Sequence, residues 1–599
     1  MASKKAILNF HTITIAYQMF SFKYKFYTAL ATIAISLTAC DNLFDDAPND
    51  KISDNKVWQN NQLLDEYVNG WYRNMSDGFK TLVPSNALLK GMSRYYLPWF
   101  TDQLSVGKAD WLNAGYGDIL QGNQETITNW AKSLWTKDYS QLQYINSFLA
   151  NADKVTNAER RKRIEGEAHF FRGYYYYMLW RQFGGVLLID HPFDPLNHPE
   201  QFPRASYRQM VDFIVAEADK AAESLPEKHE KTQAGRVTKV AALMLKAKTY
   251  LWASSPVYQN KTQEYLGFKD DQSKAMLQKA KQVYEQLLAL NAVSLVPIDA
   301  NTEEDIAKAY RKIFLTKNSQ ESILELQHAD DGNYATNFGH KLDRDAAPPS
   351  ATGTIAGYTP TQNHVDEYGM RAGATYDRTN PYANRDYRFY ANIVYNGAMF
   401  RGKKIDVATT DGKKGVDLKP YGTSESAAAT RTGYYLGKFV DEDQTIDYND
   451  TYASKQNYII WRLAEAMLDY AEVCYRLGDE GTALKMVNAI RQRAHMDQHS
   501  HITWQRIVNE RRVELAFEET TYWDLFRWGI AEERLNGKQT PLKKMVITVK
   551  GGKTKYKVEN CNRFPGRVRK FQSMQYYLPI PWSEIKYHHI AQNPEWSEV

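Results

Sequence analysis

Tyr458-Ile-Ile-Trp-Arg-Leu-Ala-Glu-Ala-Met-Leu-Asp-Tyr-Ala-Glu472 is the stretch on which the fold turns. From Ile460 the apolar residues Leu463, Ala464, Met467, Leu468, Ala471, Cys474 and Tyr475 recur at helical spacing. Gly478-Asp479 then breaks the run, and Ala483, Met486, Val487, Ile490 and Ala494 form a second stripe. Small residues at Ala471 and Ala483 let two helices approach closely, as in tetratricopeptide-like pairs. One such pair cannot bury its apolar face alone, so further pairs must pack on it. A Cys on this face, Cys474, behaves as a small hydrophobe.

Working outward, partners for the pair lie upstream. Ser206-x-x-Gln209 reads as a capping box. It precedes Val211, Ile214, Val215, Ala218, Ala222 and Leu225, and Pro226 ends that run. Thr238 opens another helix through Ala241, Met244, Ala247 and Leu251 to a stop at Pro256, and a third runs from Glu159 to Phe183 before Gly184-Gly185. The predicted fold class is mainly α, with several helix pairs, few short strands and a loop-rich part. Residues 330–450 are rich in Gly, Asn, Asp, Thr and Tyr with little periodicity, and 79–129 has a similar texture. Long irregular stretches in a compact protein commonly carry function. The expected organisation is 1–39 as signal peptide, 40–58 as tether, 59–325 as an N-terminal helical region, and 326–599 as a C-terminal region holding the irregular insert and the final helix pair.

The first forty residues read as a targeting segment. Lys23 and Lys25 precede an apolar run from Phe26 to Leu37, too short for a bilayer span, which needs about 20 residues. Leu37-Thr-Ala-Cys40 follows and resembles the bacterial lipobox; the implied cleavage falls between Ala39 and Cys40, with lipid on Cys40. The alternative is an ordinary cleaved signal followed by a chance Cys. Met1 and Met19 are both compatible starts. After Cys40 the chain is acidic and carries Asn and Pro, as a solvated tether would. Residues 1–39 hold four basic side chains and no acidic one, so the formal charge of +5 falls to +1 without them. A near-neutral body gives no electrostatic reason to bind nucleic acid.

Several stretches together resemble the SusD/RagB family of outer-membrane nutrient-binding lipoproteins. They are the quoted segment, Ile507-Val-Asn-Glu-Arg-Arg-Val-Glu-Leu-Ala-Phe-Glu518, Tyr522-Trp-Asp-Leu-Phe-Arg-Trp528, Tyr577-Leu-Pro-Ile-Pro-Trp-Ser-Glu-Ile585 and Gln592-Asn-Pro594. Glu167-Ala-His-Phe-Phe-Arg-Gly-Tyr-Tyr-Tyr-Tyr-Met-Leu-Trp-Arg-Gln-Phe-Gly184 and Thr379-Asn-Pro-Tyr-Ala-Asn-Arg-Asp-Tyr-Arg-Phe389 extend the likeness over nearly the whole mature chain. Phe526 departs from it, since the family often has Arg there; the expected consequence is an altered structural contact only. The resemblance implies four tetratricopeptide-like units, a loop-rich ligand face, and a SusC-like TonB-dependent outer-membrane transporter as partner. It implies a glycan as ligand, held at a membrane by lipid, with a peptide as the runner-up; a lipid-anchored glycan hydrolase is the reading from another class.

Aromatic residues in the irregular segments are the expected ligand contacts: Trp99, Trp111 and Tyr116 in the N-terminal one, Tyr334 and Tyr358 in the central one. Tyr and Trp offer a flat apolar face with a polar handle, suited to a sugar ring and equally to filling space in a core. Asp102, Asn113 and Asp118 are candidates to hydrogen-bond sugar hydroxyls. Glu510, Arg511, Arg512, Glu514 and Glu518 crowd one helix. Glycoside hydrolysis needs two carboxyl groups flanking a cleft, whereas charges on an apolar stripe more often find buried opposite partners; the ion-pair reading is the expectation. His495, His499 and His501 have spacings compatible with a metal, but no motif of known mechanics accompanies them. Neither metal nor other cofactor is expected, and no catalytic residue.

Overall fold

The computed structural model describes residues 56–75, 78–79, 96–107, 116–194, 197–328, 339–353, 356–419, 428–443, 454–561 and 568–598. Two compact units divide the chain at residues 65 and 66. In the first, a short helix Lys56–Gln59 precedes Asn60, whose side chain accepts from the backbone N–H groups of Gln62 and Leu63 and so opens the next helix. Apart from residues 61–65 of that helix, all else described below lies in the second unit.

Helices of eight residues or more are numbered in chain order among the described residues. They are α1 Asn61–Arg73, α2 Gln124–Leu149, α3 Ala158–Phe183, α4 Tyr207–Ser224, α5 Lys239–Ala253, α6 Ser273–Ala289, α7 Glu303–Leu315, α8 Leu463–Arg476, α9 Glu480–Arg493, α10 Trp504–Glu514 and α11 Thr520–Arg527. Strands of three residues or more are β1 Ser322–Leu326, β2 Ala408–Thr410, β3 Tyr458–Arg462, β4 Lys543–Lys550 and β5 Lys553–Asn560. Helices α2 to α6 pack in succession, each on the next, and α6 packs on α8. Helix α8 in turn receives α9 and α10. Thus α2/α3, α4/α5 and α8/α9 are pairs adjacent in sequence, and α6 joins the second pair to the third.

The local signals act as the chemistry requires. The capping box closes at the start of α4, with Ser206 and Gln209 each bonding the other's backbone N–H. Thr238 accepts from Ala241 N–H at the start of α5. Gly184 ends α3 at φ +73° and Gly478 turns α8 into α9 at φ +85°, conformations that cost a residue with a Cβ. Ala471, Cys474 and Ala483 are fully buried where α8 meets α9, and burial pushes the Cys474 thiol up to about 11. Ile460 differs from its expected place. It lies in β3, which pairs antiparallel with β1 through an irregular register, and the helix begins only at Leu463. A short apolar run fits a strand as well as a helix, and a partner more than a hundred residues away decides.

Strands β4 and β5 form a regular eight-rung hairpin turned by Gly551-Gly552, both at positive φ. Strand β2 joins it in parallel beside β4, and Lys413–Lys414 pairs with β2. The hairpin's signal was present in sequence, as Met545, Ile547 and Val549 alternate with outward residues before a Gly-Gly turn.

Candidate functional site

The charged helix comes first, because it bears on catalysis. Glu510 and Glu514 of α10 bind Arg388, which also holds Asp386. Arg462 lies among Glu321, Glu514 and Glu518, and Arg493 bridges Glu321 and Glu514. Lys438 pairs with Glu518, Arg511 with Asp469 and Asp524, and Arg527 with Glu472 and Asp524. These side chains are buried. Although burial opposes ionisation, the surrounding guanidinium groups hold Glu514 well below the usual carboxylate range and Glu518 below it. A general acid needs a raised pKa; these carboxylates are locked as anions and serve as structural ion pairs, as their position on a buried helix implies.

In the α9–α10 connection one imidazole is occupied and a second histidine is held by its backbone. His495 Nε2 bonds the Ile298 carbonyl, and the backbone of His499 exchanges two hydrogen bonds with the Asn488 amide. Among the described residues no group of three or more His, Cys, Asp or Glu side chains is arranged to hold a metal ion.

The expected ligand residues divide sharply. Trp99 and Tyr358 are 2% and 0% exposed. Their rings lie 5.3 Å apart, each also meets Tyr96, and the Trp99 indole donates to the Gly357 carbonyl. This corrects their assignment, since rings enclosed by protein offer no face to a sugar; they form a packed layer instead. Asp102 is corrected in the same way. It is fully buried between Arg512 and Arg534, which hold its carboxyl well below the usual range. Tyr116 begins the helix Tyr116–Leu120, and Asp118, in its first turn, is half-buried. Cys40, Trp111, Asn113 and Tyr334 lie outside the described residues.

What the structure does bring together is the support on which those segments begin and end. Gly107 N–H donates to the Ala356 carbonyl, and Arg431 Nε donates to the Gly107 carbonyl. Next to Ala356 is Gly357, bonded to Trp99. A methyl group added to Gly78 would fall within 3 Å of the Tyr96 and Tyr458 rings. Phe79 meets Tyr458, Phe439 and His340, and His340 meets His328. One continuous layer, largely aromatic, therefore underlies residues 79, 96, 107, 328, 340 and 356. Beside it, Asp343 accepts from Asp441 N–H and the Gln456 amide; burial, only partly offset by Arg401 at 3.8 Å, pushes its carboxyl up to about 6. Sequence gave no sign of this layer, because its members come from segments up to about 380 positions apart.

Phe526, the departure from the family pattern, is buried among Tyr522, Phe571 and Tyr576. The contact is apolar packing, as expected.

A scaffold of successive helix pairs carrying a packed aromatic layer defines the class: a helical-repeat protein with an irregular face. A family model described as "Starch-binding associating with outer membrane" matches residues 44–251, and one described as "SusD family" matches 320–596. The chain belongs to the SusD family. A SusD-like protein of Bacteroides ovatus is 25% identical over 530 residues, covering 83% of this chain and 81% of that protein. A solved SusD-like protein from Bacteroides fragilis superposes with TM-score 0.71 at 24% identity, over 92% of this chain and all of that one. A surface glycan-binding protein from Bacteroides thetaiotaomicron, solved in complex with laminarihexaose, gives TM-score 0.61 at 20% identity, over 89% of this chain and 99% of that one.

Proposed function

We propose that the chain is a lipid-anchored protein of the outer membrane, facing the cell exterior, that binds a nutrient oligosaccharide or polysaccharide. It hands the ligand unchanged to a SusC-like TonB-dependent transporter. The observation that carries this reading is family membership across both halves of the chain, in a fold shared with a relative solved in complex with laminarihexaose. The ion-paired state of the α10 carboxylates supports binding without hydrolysis. Cys40 is the lipid attachment point, and no described helix is long and apolar enough to cross a membrane. Trp111 and Tyr334, with Tyr116, are the proposed ligand contacts.

The test uses the soluble chain beginning after Cys40, applied to a glycan array and to a matched peptide library. Glycan retention without release of reducing ends is the expected result. Reducing ends would turn the reading to a hydrolase, and retention of peptides alone would turn it to peptide cargo. Extraction of the lipidated protein in mild detergent should recover a large outer-membrane partner; recovery alone, under conditions that keep such complexes, counts against delivery. Trp111→Ala should weaken glycan binding by roughly 1–3 kcal/mol, as aromatic anchors do, with little change in Tm.

A further inference from the structure

Helix α10 presents a second stripe, which meets its ion pairs only at Arg512. Trp504, Val508 and Arg512 follow at four-residue spacing, with Gln505 and Asn509 alongside. These residues line one wall of a cleft of about 430 Å³, within the range of small-molecule sites. The last turn of α8 supplies Tyr475 and Arg476, and Trp528 and Arg534 close the other side. None of the residues of the aromatic layer lines this cleft.

Three rings stand in it half-buried. Tyr475 and Trp504 are nearly parallel at 6.3 Å, and Trp528 meets Trp504 edge-on at 5.4 Å. The Trp528 indole N–H is taken by Glu472. Trp504 Nε1 and the exposed Gln505 amide make no hydrogen bond among the described residues. Arg512 is 5% exposed, with Nε bonded to Glu367 and Nη2 to Asp102, yet its Nη1 is buried without a partner; so is Arg534 Nε. Buried donors left unbonded are costly, and sites that await an acceptor are where they persist.

Charge narrows the ligand. Of the lining residues, Arg476 pairs with Glu472 and Arg512 and Arg534 with Glu367; Asp102, behind the wall, binds both of the latter, and Glu472 is shared with Arg527, which Asp524 also holds. Every guanidinium of the cleft is thus already ion-paired, leaving none free to draw in an acidic group. The cleft combines flat apolar walls with surplus N–H donors, the complement of a ring with C–H faces and hydroxyl acceptors. We propose that this cleft is a second binding site, taking one neutral pyranose unit of a glycan against Trp504, with hydroxyl oxygens accepting from Trp504 Nε1 and the Gln505 amide. The proposal rests on the glycan-binding reading above and adds a site to it.

Isothermal titration of the soluble full-length mature chain with laminarihexaose, maltohexaose, cellohexaose and mannohexaose tests it. The expected result is two sites per chain for at least one probe. Trp504→Ala should weaken one of them about tenfold and leave the other, while Trp111→Ala does the reverse. Should Trp504→Ala fail to fold, a crystal of the wild type soaked in the binding probe decides, with a sugar ring on Trp504 as the expected outcome. A single site unaffected by a folded Trp504→Ala chain, or a soaked crystal with sugar only elsewhere, overturns this proposal and leaves the glycan reading standing. No binding of any probe overturns the neutral-sugar cleft, whereas retention of other glycans on the array would still sustain the broader reading.

Discussion

Helix α3 from Gly166 onward and helix α10 from Glu510 onward are both enclosed by protein, and they are built from opposite materials. From Gly166 to Phe183 nearly every residue of α3 is buried, and the rings of Phe170, Phe171, Tyr174, Tyr175, Tyr176, Tyr177, Trp180 and Phe183 do most of the filling. Phe170 meets Phe171, Tyr174 and Trp461; Tyr176 meets Phe213; Trp180 meets Tyr207. Helix α10 buries Glu510, Arg511, Arg512 and Glu514 and is held by ion pairs. Ring packing is distributed over many weak contacts, so one altered ring leaves its neighbours able to adjust. A buried ion pair tolerates no such loss, because removing one partner strands the other charge in a medium that cannot solvate it. Equal burial thus hides unequal fragility.

The contrast can be broken most severely at Arg462. Replacing it with Met removes the cation shared by Glu321, Glu514 and Glu518, and urea unfolding should show a loss of about 3–5 kcal/mol or failure to fold. Acid probes a second buried ion pair, between α4 and α3, without mutation. Burial opposes ionisation of Glu217, but His169 and Arg172 prevail and bring it down to about 2. Such depressed groups contribute stability that is present above the unfolded carboxylate range and lost as pH falls through it towards 2. For Glu217 alone the loss amounts to roughly 3 kcal/mol, so thermal melts should drop steeply between pH 4.5 and 2.

Asp343 should move the other way. Its raised value of about 6 means that the folded state keeps a proton the unfolded chain has already released. Its ionisation therefore costs stability as pH rises from about 4 to 6. Asp343→Asn should leave Tm unchanged near pH 4 and add about 2 kcal/mol above pH 7; a loss at neutral pH would contradict the burial argument. On the aromatic side, Phe170→Leu should cost only about 1–2 kcal/mol by denaturant titration. Smallest of all, Ser206→Ala, which removes half of the capping box, should cost about 1 kcal/mol.

Legibility followed the range of the interaction. The capping residues Ser206 and Thr238 and the turning residues Gly184 and Gly478 act within four positions of themselves, and each does what its side chain, or lack of one, predicts. That α10 would hold ion pairs was readable from charges on a buried stripe; that Arg511 would choose Asp469 and Asp524 was not. Trp99 and Tyr358 show why the ligand face was harder. Both sit beside turn-forming sequence, as a surface platform does, but Trp99 is bonded to Gly357, 258 positions away, and only that long-range meeting hides the ring. The half-buried place of Trp504 in the cleft depends on Tyr475 and Trp528, which lie elsewhere in the chain.

The pairing of Asp102 with Arg512 across 410 positions has a kinetic consequence. A nascent chain that has emerged only as far as α9 already contains Asp102 but has no guanidinium to meet it. Strand β3 must likewise find β1, whose residues emerged more than a hundred positions earlier. Contacts of such sequence separation form late, because loop-closure entropy is lost before they return anything. The helix pairs α2/α3 and α4/α5 can assemble locally, while the layer around Asp102 waits for α10 and Arg534. Consolidation of that region therefore cannot begin until Arg512 and Arg534 have been made, and a chain halted short of residue 512 should be digested there by protease even where its first helices resist.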